Sequence, residues 1–301
     1  SSPMAFPIPA EELGTVSIVP NGSFEAGSYQ TFVLTYIAGK FGIDDSGSMR
    51  VCFRFASDQT RPQFEDPKGP NYTTIEASNN AVLTYHYDPK GNVRPWDRTL
   101  YIKVVRGFLR EGDKITITFG DRSGGSPGMR LQTFCEDSYE FHTLIDPIAT
   151  YCYQPMPVQP VIKIIPGKPD RYLAVAPTIR AIDESFSIKF KGEDKWGNPS
   201  DQCDIQLYPH ASHPVKNLPN MISLKPGEFF GVIEGLLVAD AADLHIDFLD
   251  DAGAVMCRTN PIRIEPEPLS RHFWGDLHGQ SEETIGTGSA EAYFAFARDY
   301  A

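Results

Sequence analysis

Apolar and polar residues alternate along much of the first half of the chain. The clearest runs are 50–55, 99–104 and 114–119, in which every second residue is Val, Ile, Leu or Phe. A period of two buries one face and exposes the other, which is typical of antiparallel strands. Turn-forming clusters such as DPKGN and REGDK separate the runs. The pattern predicts a large β-sandwich domain over residues 14–153, preceded by an N-terminal tail of residues 1–13.

A proline-rich segment, QPMPVQP, follows at residues 154–160. Proline has no N–H for a strand ladder and stiffens the chain, so this segment is interpreted as a linker. Alternation resumes at 186–190 and again at 244–248, and short strands over residues 161–265 predict a second, immunoglobulin-like β-sandwich. The turn EDKWGNPSD at 193–201 resembles the one found in bacterial immunoglobulin-like and filamin-type repeats, which implies the same class of fold.

The pattern changes after residue 265. The segment RHFWGDLHGQS is typical of a strand that enters a loop. Ser289 is a good helix N-cap, and the apolar residues that follow it recur at helical spacing. Residues 266–301 therefore predict one β-loop-α unit, the opening of an α/β domain that this chain does not complete.

Charge and composition narrow the possible partners and the compartment. The chain has 301 residues and a formal net charge of −12, which argues against binding a nucleic-acid backbone. No apolar run approaches the roughly 20 residues needed to cross a bilayer, so no membrane partner is expected. The first residues lack the features of a secretory signal, and five widely spaced cysteines suit a reducing compartment. The predicted location is the cytoplasm.

Asp276, His278 and Gln280 occupy alternate positions of one predicted strand. Side chains at i, i+2 and i+4 share a face, so a carboxylate, an imidazole and an amide oxygen converge at the strand end. These groups are plausible ligands for part of a divalent metal site. The alternative is a buried Asp-His hydrogen-bonded pair at a domain seam.

The motif DLHGQS resembles the first motif of the polymerase-and-histidinol-phosphatase (PHP) superfamily. The longer run FWGDLHGQSEETIGTGSAEAYFAFARDYA resembles an uncharacterised PHP-like family, in which a strand-rich N-terminal region precedes the catalytic domain. The resemblance implies a (β/α) barrel with metal ions at the strand C-termini. His278 matches the first His ligand, Gln280 stands where the superfamily has its second His, and Asp276 matches the Asp that orients the ligand.

The fold class that follows is mainly β: two antiparallel, immunoglobulin-like β-sandwich domains and the first β-α unit of an incomplete (β/α) barrel over residues 266–301. The resemblance implies a divalent metal (zinc, manganese or iron) in the complete barrel, with none tightly bound by this chain. The remaining ligands would come from a missing C-terminal barrel segment of the same gene or of a second chain. The substrate would be a small molecule, and the sequence assigns no catalytic residue.

A long loop at residues 56–72 is a second candidate, because loops of this length are often functional. Five of its side chains are predicted to contact substrate at the barrel mouth: Asp58, Arg61, Phe64, Glu65 and Tyr72. The alternative is a loop that packs on its own sandwich. The HASH segment at 210–213 is interpreted as solvated surface, and the Gly-rich segment at 120–128 as a hairpin loop.

Two functions from different classes follow. The main hypothesis is the N-terminal part of a PHP-type metal-dependent hydrolase acting on a phosphoester or a related ester or amide bond, inactive as an isolated chain. The alternative is a stand-alone β-sandwich binding or interaction module without catalysis.

The cysteine usage predicts five free thiols and no disulfide. Thiol titration under denaturing, non-reducing conditions should therefore count all five. A count of three or one would contradict the assignment to a reducing compartment.

Overall fold

The computed structural model describes residues 7–266, and these are mainly β, as predicted. Within this range the one helical element is a 3-10 turn at Ala10–Glu12. The chain divides into two compact units: the first comprises the residues up to Thr133 and Asp137–Ile165, and the second comprises Phe134–Glu136 and the residues from Pro166 onwards. The predicted β-loop-α unit at 266–301 lies, apart from its first residue, outside the described residues.

The first unit contains fourteen strands. In chain order they are β1 (Gly14–Val19), β2 (Ser23–Glu25), β3 (Tyr29–Gln30), β4 (Phe32–Ala38), β5 (Ser48–Phe53), β6 (Thr74–Ala77), β7 (Val82–Asp88), β8 (Arg98–Arg106), β9 (Lys114–Phe119), β10 (Met129–Arg130), β11 (Glu136–Glu140), β12 (His142–Asp146), β13 (Gln154–Pro155) and β14 (Val161–Ile165).

Two larger sheets form the sandwich of the first unit. One has the strand order β1-β4-β9-β6 and the other has the order β13-β12-β5-β8-β7. Inward side chains of both sheets share one core, to which the first sheet contributes Leu34 and Ile117 and the second contributes Val51 and Ile102. The predicted alternation in β5, β8 and β9 is thus confirmed. Phe55 is the exception: β5 ends before it, and its side chain is exposed.

The described part of the second unit, up to residue 266, contains ten strands. They are β15 (Arg171–Val175), β16 (Ile179–Ala181), β17 (Phe186–Glu193), β18 (Ile205–Ala211), β19 (Ile222–Leu224), β20 (Gly231–Leu236), β21 (Ala242–Leu244), β22 (Ile246–Leu249), β23 (Val255–Arg258) and β24 (Ile262–Glu265). Three sheets, with the orders β15-β17-β20, β16-β24-β21 and β19-β18-β22-β23, enclose one core that includes Phe190 and Phe248.

Within residues 7–266, the pairs β14-β2 and β16-β24 are parallel, although antiparallel sandwiches were predicted. In each unit the last strand pairs with an early one, so the intervening strands form the long connection that parallel pairing needs. Both arrangements give side chains a period of two, and the sequence pattern therefore does not distinguish them.

The domain boundary lies after Ile165 rather than in the predicted linker at 154–160. Gln154–Pro155 is strand β13, and it pairs with Leu144 and Ile145 of β12. Further along, Gln159 accepts a hydrogen bond from the Thr143 backbone N–H at 2.8 Å and donates one to its carbonyl at 2.9 Å. The glutamine side chain supplies the hydrogen bonds that the neighbouring prolines lack, so this segment continues the sheet of the first unit.

Lys189 and Lys191 lie at positions predicted to face solvent, but only 2% and 1% of their surface is exposed. They share one face of β17 with Glu193. The Glu193 carboxylate lies 3.4 Å from Lys191 Nζ and accepts a hydrogen bond from Arg171 Nε at 2.9 Å. This pairing offsets part of the cost of burying the ammonium group, yet burial still lowers the pKa of Lys191 to about 8.

We expect Phe141→Ala to destabilise the first unit strongly. The Phe141 ring is fully buried and contacts four other rings, those of Phe32, Phe53, Phe119 and Tyr139. Its truncation leaves a cavity and should lower the free energy of unfolding by about 3–5 kcal/mol. Urea denaturation followed by Trp96 fluorescence, with Trp196 and Trp274 replaced by Phe, measures this change.

Val158→Ala is the control for that experiment, because 75% of the Val158 surface is exposed. Its free energy of unfolding should stay within about 0.5 kcal/mol of the parent value. A loss of less than about 1 kcal/mol for Phe141→Ala would mean that this ring cluster is not the core of the unit.

Candidate ligand-binding site

The side of the five-stranded sheet that points away from the core carries polar and aromatic residues. We call it the outer face. One row across strands β12, β5, β8 and β7 consists of Leu144, Arg50, Tyr101 and His86. The next row consists of His142, Cys52, Thr99 and Asp88. The alternation that buries Val51 and Ile102 therefore also places these chemically active groups side by side.

The hairpin loop at residues 89–97, between β7 and β8, folds onto one part of the outer face. Asn92 Nδ2 donates a hydrogen bond to Cys52 Sγ at 3.5 Å, and Asn92 Oδ1 accepts one from Arg50 Nη1 at 3.3 Å. The Trp96 ring stacks on His142, with centroids 4.5 Å apart. Gly91 approaches Thr99 so closely that a Cβ at this position would lie 2.8 Å from Thr99 Cβ. These contacts hold the loop against the sheet.

The segment after β12 covers another part of the outer face. The Asp146 carboxylate accepts hydrogen bonds from Thr150 and from the Tyr151 backbone N–H, which closes a tight turn. The chain then places Tyr153 over the sheet, where its hydroxyl forms a short hydrogen bond with Ser48 Oγ. Burial raises the pKa of Tyr153 to about 12. Tyr153 is therefore a neutral phenol, and its ring packs against the Arg50 guanidinium.

Arg50 lies between these two coverings. Its guanidinium carbon is 3.8 Å from the centre of the Tyr153 ring and 6.0 Å from the centre of the Tyr101 ring. Its hydrogen bond to Asn92 is the only one it makes to a described residue, and its Nε has no partner among them. It also forms no ion pair within the described part of the chain. A guanidinium has five N–H donors, so most of its hydrogen-bonding capacity is unused.

A cavity of about 240 Å³ opens beside Arg50. Its lining consists of Arg50, His86, Asp88, Gly91, Thr99 and Tyr101. The His86 and Tyr101 rings lie 5.0 Å apart and are tilted by 48°. The Asp88 Oδ1 atom accepts a hydrogen bond from the Lys90 backbone N–H at 2.9 Å. The cavity thus presents a cation, a carboxylate and two planar rings.

Cys52 lies under the cavity and is fully buried. Burial raises the pKa of its thiol to about 11, although its hydrogen bonds with Thr99 and Asn92 act in the opposite direction. A thiol with such a pKa is protonated at neutral pH and is a poor nucleophile. Cys52 therefore helps to hold the loop and the sheet together rather than performing chemistry.

The loop at 56–72 packs on its own sandwich, on the side of β7 away from the cavity. The Phe64 ring contacts Tyr85 at 4.8 Å, and the Arg61 guanidinium lies 6.0 Å from the Tyr87 ring. Asp58 accepts hydrogen bonds from the Thr133 backbone N–H and hydroxyl. Two further candidates also make backbone hydrogen bonds within this unit: Glu65 donates to Gln63, and Tyr72 accepts from Asp121. The structure does not bring these five residues into the cavity.

The predicted metal ligands Asp276, His278 and Gln280 lie outside the described residues. Within 7–266, no group of three or more His, Cys, Asp or Glu side chains could hold a metal ion. No helix in that range is long and apolar enough to cross a membrane. The expected metal, the missing barrel segment, the absence of nucleic-acid and membrane partners, and the cytoplasmic location stay predictions.

The sequence analysis missed the residues of the cavity. It placed Arg50 correctly on the polar side of β5, but it gave no reason to connect it with His86 or Tyr101. The available signal was three outward positions with large polar or aromatic side chains, on strands up to about fifty positions apart. Using that signal requires the strand register, which the alternation alone does not define.

Comparisons with known proteins found few similar sequences, and no family model matches the chain. An uncharacterised protein of Chlamydia trachomatis is 24% identical over 220 residues, which cover 71% of this chain and 34% of that protein. The chain therefore spans about a third of the length of this curated relative.

Among solved structures, the chain is similar to the adhesin FdeC of Escherichia coli, with 12% identity, a TM-score of 0.25, and coverage of 84% of this chain and 64% of FdeC. It is also similar to the adhesin InvE of Yersinia pseudotuberculosis, with 9% identity, a TM-score of 0.24, and coverage of 83% and 58%. Red sea bream transglutaminase matches with 10% identity, a TM-score of 0.22, and coverage of 85% and 32%.

The prediction of a PHP-type metal-dependent hydrolase is wrong. The described residues form two β-sandwich units without an α-helix, and they hold no metal-binding group of side chains. The hydrolase prediction rested on the motif at 271–301, and the described fold supplies nothing that extends it.

We expect the five cysteines, all free in the structure, to differ strongly in reactivity. Cys152 is exposed, whereas Cys52 is buried and its raised pKa keeps it protonated. Iodoacetamide at about pH 8 should label Cys152 first and leave Cys52 unmodified in the folded protein. Peptide mass spectrometry after timed quenching measures both rates, and equal rates would contradict the closed position of loop 89–97.

Proposed function

We propose that this chain is a β-sandwich binding module whose ligand site is the cavity on the outer face of the five-stranded sheet. The observation that carries the proposal is that most hydrogen-bond donors of Arg50 are unused. Its guanidinium has one hydrogen bond and no ion pair to the described residues, and it borders a cavity lined by polar and aromatic side chains. A charge with unused donors, placed at a concave surface, is suited to a ligand that completes its hydrogen bonds.

The construction of the cavity also supports a binding role. Its floor consists of paired strands, which hold side chains more precisely than loops do. The two segments that cover the sheet beside it are held by hydrogen bonds, one through Asn92 and the other through Tyr153. A site that is ordered before the ligand arrives loses less conformational entropy on binding.

The chemistry of the cavity suits binding better than catalysis. Its nearest thiol, Cys52, has a pKa raised to about 11 and lies beneath the surface. Asp88 has one carboxylate oxygen committed to the turn of loop 89–97. The groups that remain are donors, acceptors and ring faces, which position a ligand without activating it.

Fragment binding followed by ¹⁵N–¹H NMR tests this function. The fragments are a neutral sugar, a sugar acid, an aromatic acid, an amino acid and inorganic phosphate. We expect shifts of at least one fragment to concentrate on the Arg50, Tyr101 and His86 row. Tyr101→Ala should remove them, because it deletes the ring at the centre of the row.

Tyr29→Ala is the matched control, because it removes another partly exposed tyrosine of the same unit that does not line the cavity. Its shifts should equal those of the parent protein. The proposal fails if no fragment perturbs the row, or if Tyr101→Ala binds the fragments as well as Tyr29→Ala does.

A further inference from the structure

We infer that the cavity binds a carboxylate carried on a hydroxylated ring, that is, an acidic monosaccharide or the acidic sugar at the end of a glycan. This inference rests on the proposed binding function and names its ligand class. Arg50 binds the carboxylate, Asp88 accepts hydrogen bonds from ring hydroxyls, and the Tyr101 and His86 rings contact the ring face. Each of these roles follows from a separate feature of the cavity.

The unused donors of Arg50 select a carboxylate. A guanidinium presents parallel N–H groups that match two carboxylate oxygens, and such charge-assisted pairs are stronger than neutral hydrogen bonds. Asn92 occupies Nη1 and the Tyr153 ring covers one face of the group, so the orientation of Arg50 is defined. A carboxylate would be held at the remaining guanidinium donors by charge as well as by hydrogen bonds, whereas a neutral acceptor would supply hydrogen bonds alone.

Asp88 limits the charge that the ligand carries. Its Oδ1 atom is bonded to the Lys90 backbone, and its Oδ2 atom has no partner among the described residues. A second anionic group near this oxygen would be repelled, whereas a hydroxyl would donate to it. One carboxylate together with hydroxyl groups therefore fits the cavity better than a polyanion.

The positions of Arg50 and Asp88 set the size of the ligand. They lie on β5 and β7, with β8 between them, so their backbones are roughly 10 Å apart across the sheet. An α-amino acid, whose carboxylate and ammonium groups are attached to the same carbon, does not span this distance as a sugar ring does. The cavity of about 240 Å³ is slightly smaller than the range of about 300–1,000 Å³ for drug-sized ligands, which suits a single ring.

The aromatic side chains supply the remaining contact. The Tyr101 and His86 rings border the cavity. The C–H face of a sugar ring is apolar and packs on such flat surfaces, while its hydroxyls point to the polar rim. This combination distinguishes a sugar acid from a simple short-chain carboxylate.

Titration of the full chain with glucuronate, glucose and glycine, followed by NMR, tests the ligand class. We expect glucuronate to shift the Arg50 Nε–H resonance and the backbone signals of the Tyr101 row. Glucose lacks the carboxylate and should bind at least about tenfold more weakly. Glycine lacks the ring and should show no saturable shifts at the cavity.

Arg50→Gln should weaken glucuronate binding by about tenfold or more, because it removes the charge and the paired donors. Lys103→Gln is the matched control: it also removes one positive charge from the outer face, but Lys103 does not line the cavity, so affinity should stay within about twofold. Arg50→Lys keeps the charge without the fork and should still weaken binding by about fivefold. It replaces Arg50→Gln if circular dichroism shows that variant to be unfolded.

Three results would overturn the assignment: glucose or glycine binding as tightly as glucuronate, an affinity unchanged by both Arg50 variants, or no glucuronate binding at all. If glucuronate fails while other fragments still perturb the Tyr101 row, the ligand class is wrong and the binding function stands. If no fragment perturbs that row, the binding function fails as well.

Discussion

The hydrogen-bond register between β5 and β8 is the constraint on which the first unit depends. It pairs Val51 with Leu100 and Arg50 with Tyr101, so one set of backbone hydrogen bonds fixes both sides of the sheet. On the inner side the pairing places apolar residues in the core, whose burial is the main favourable contribution to folding. On the outer side the same pairing places the Arg50 guanidinium beside an aromatic ring. The cavity is thus a consequence of the register that the core selects.

Two connections convert this flat outer face into a concave one. The loop at 89–97 and the segment that carries Tyr153 each fold back over the sheet, and each is fastened by a polar side chain: Asn92 in the first and Asp146 in the second. Asn92 bonds to Cys52 and Arg50 of the sheet, and Asp146 bonds to the backbone of the turn that follows β12. The cavity lies beside the first of these coverings, and Gly91 of loop 89–97 forms part of its lining.

Much of the fold could be predicted from the sequence, because alternation is a local property that the core enforces. The strands around Val51, Ile102 and Ile117 are buried where the pattern placed them. The domain boundary could not be predicted, because the role of the prolines depends on Gln159, whose side chain bonds to a strand distant in sequence. The burial of Lys191 also could not be predicted, because its ion pair with Glu193 is evident only from the packing of the two side chains.

The candidate site was less predictable than the fold, for a related reason. Arg50, His86 and Tyr101 are separated in sequence by up to about fifty positions, and nothing in their local context marks them as one group. The loop at 56–72 was a candidate because of its length, but its aromatic and charged residues pack against the edge of the sandwich. Length and polarity of a loop therefore did not identify the site, whereas cross-strand neighbours did.

The strict interleaving of core and cavity positions along β5 has a consequence for how this protein can evolve. Substitutions at Arg50 or Tyr101 alter the cavity while their neighbours keep the core intact, so ligand preference can diverge among related proteins without a new fold. Insertion or deletion of one residue within the strand is different, because it exchanges the two faces and disrupts packing and recognition together. Related sequences should therefore vary in length at the turns, and in residue type at the outward positions of β5, β7 and β8.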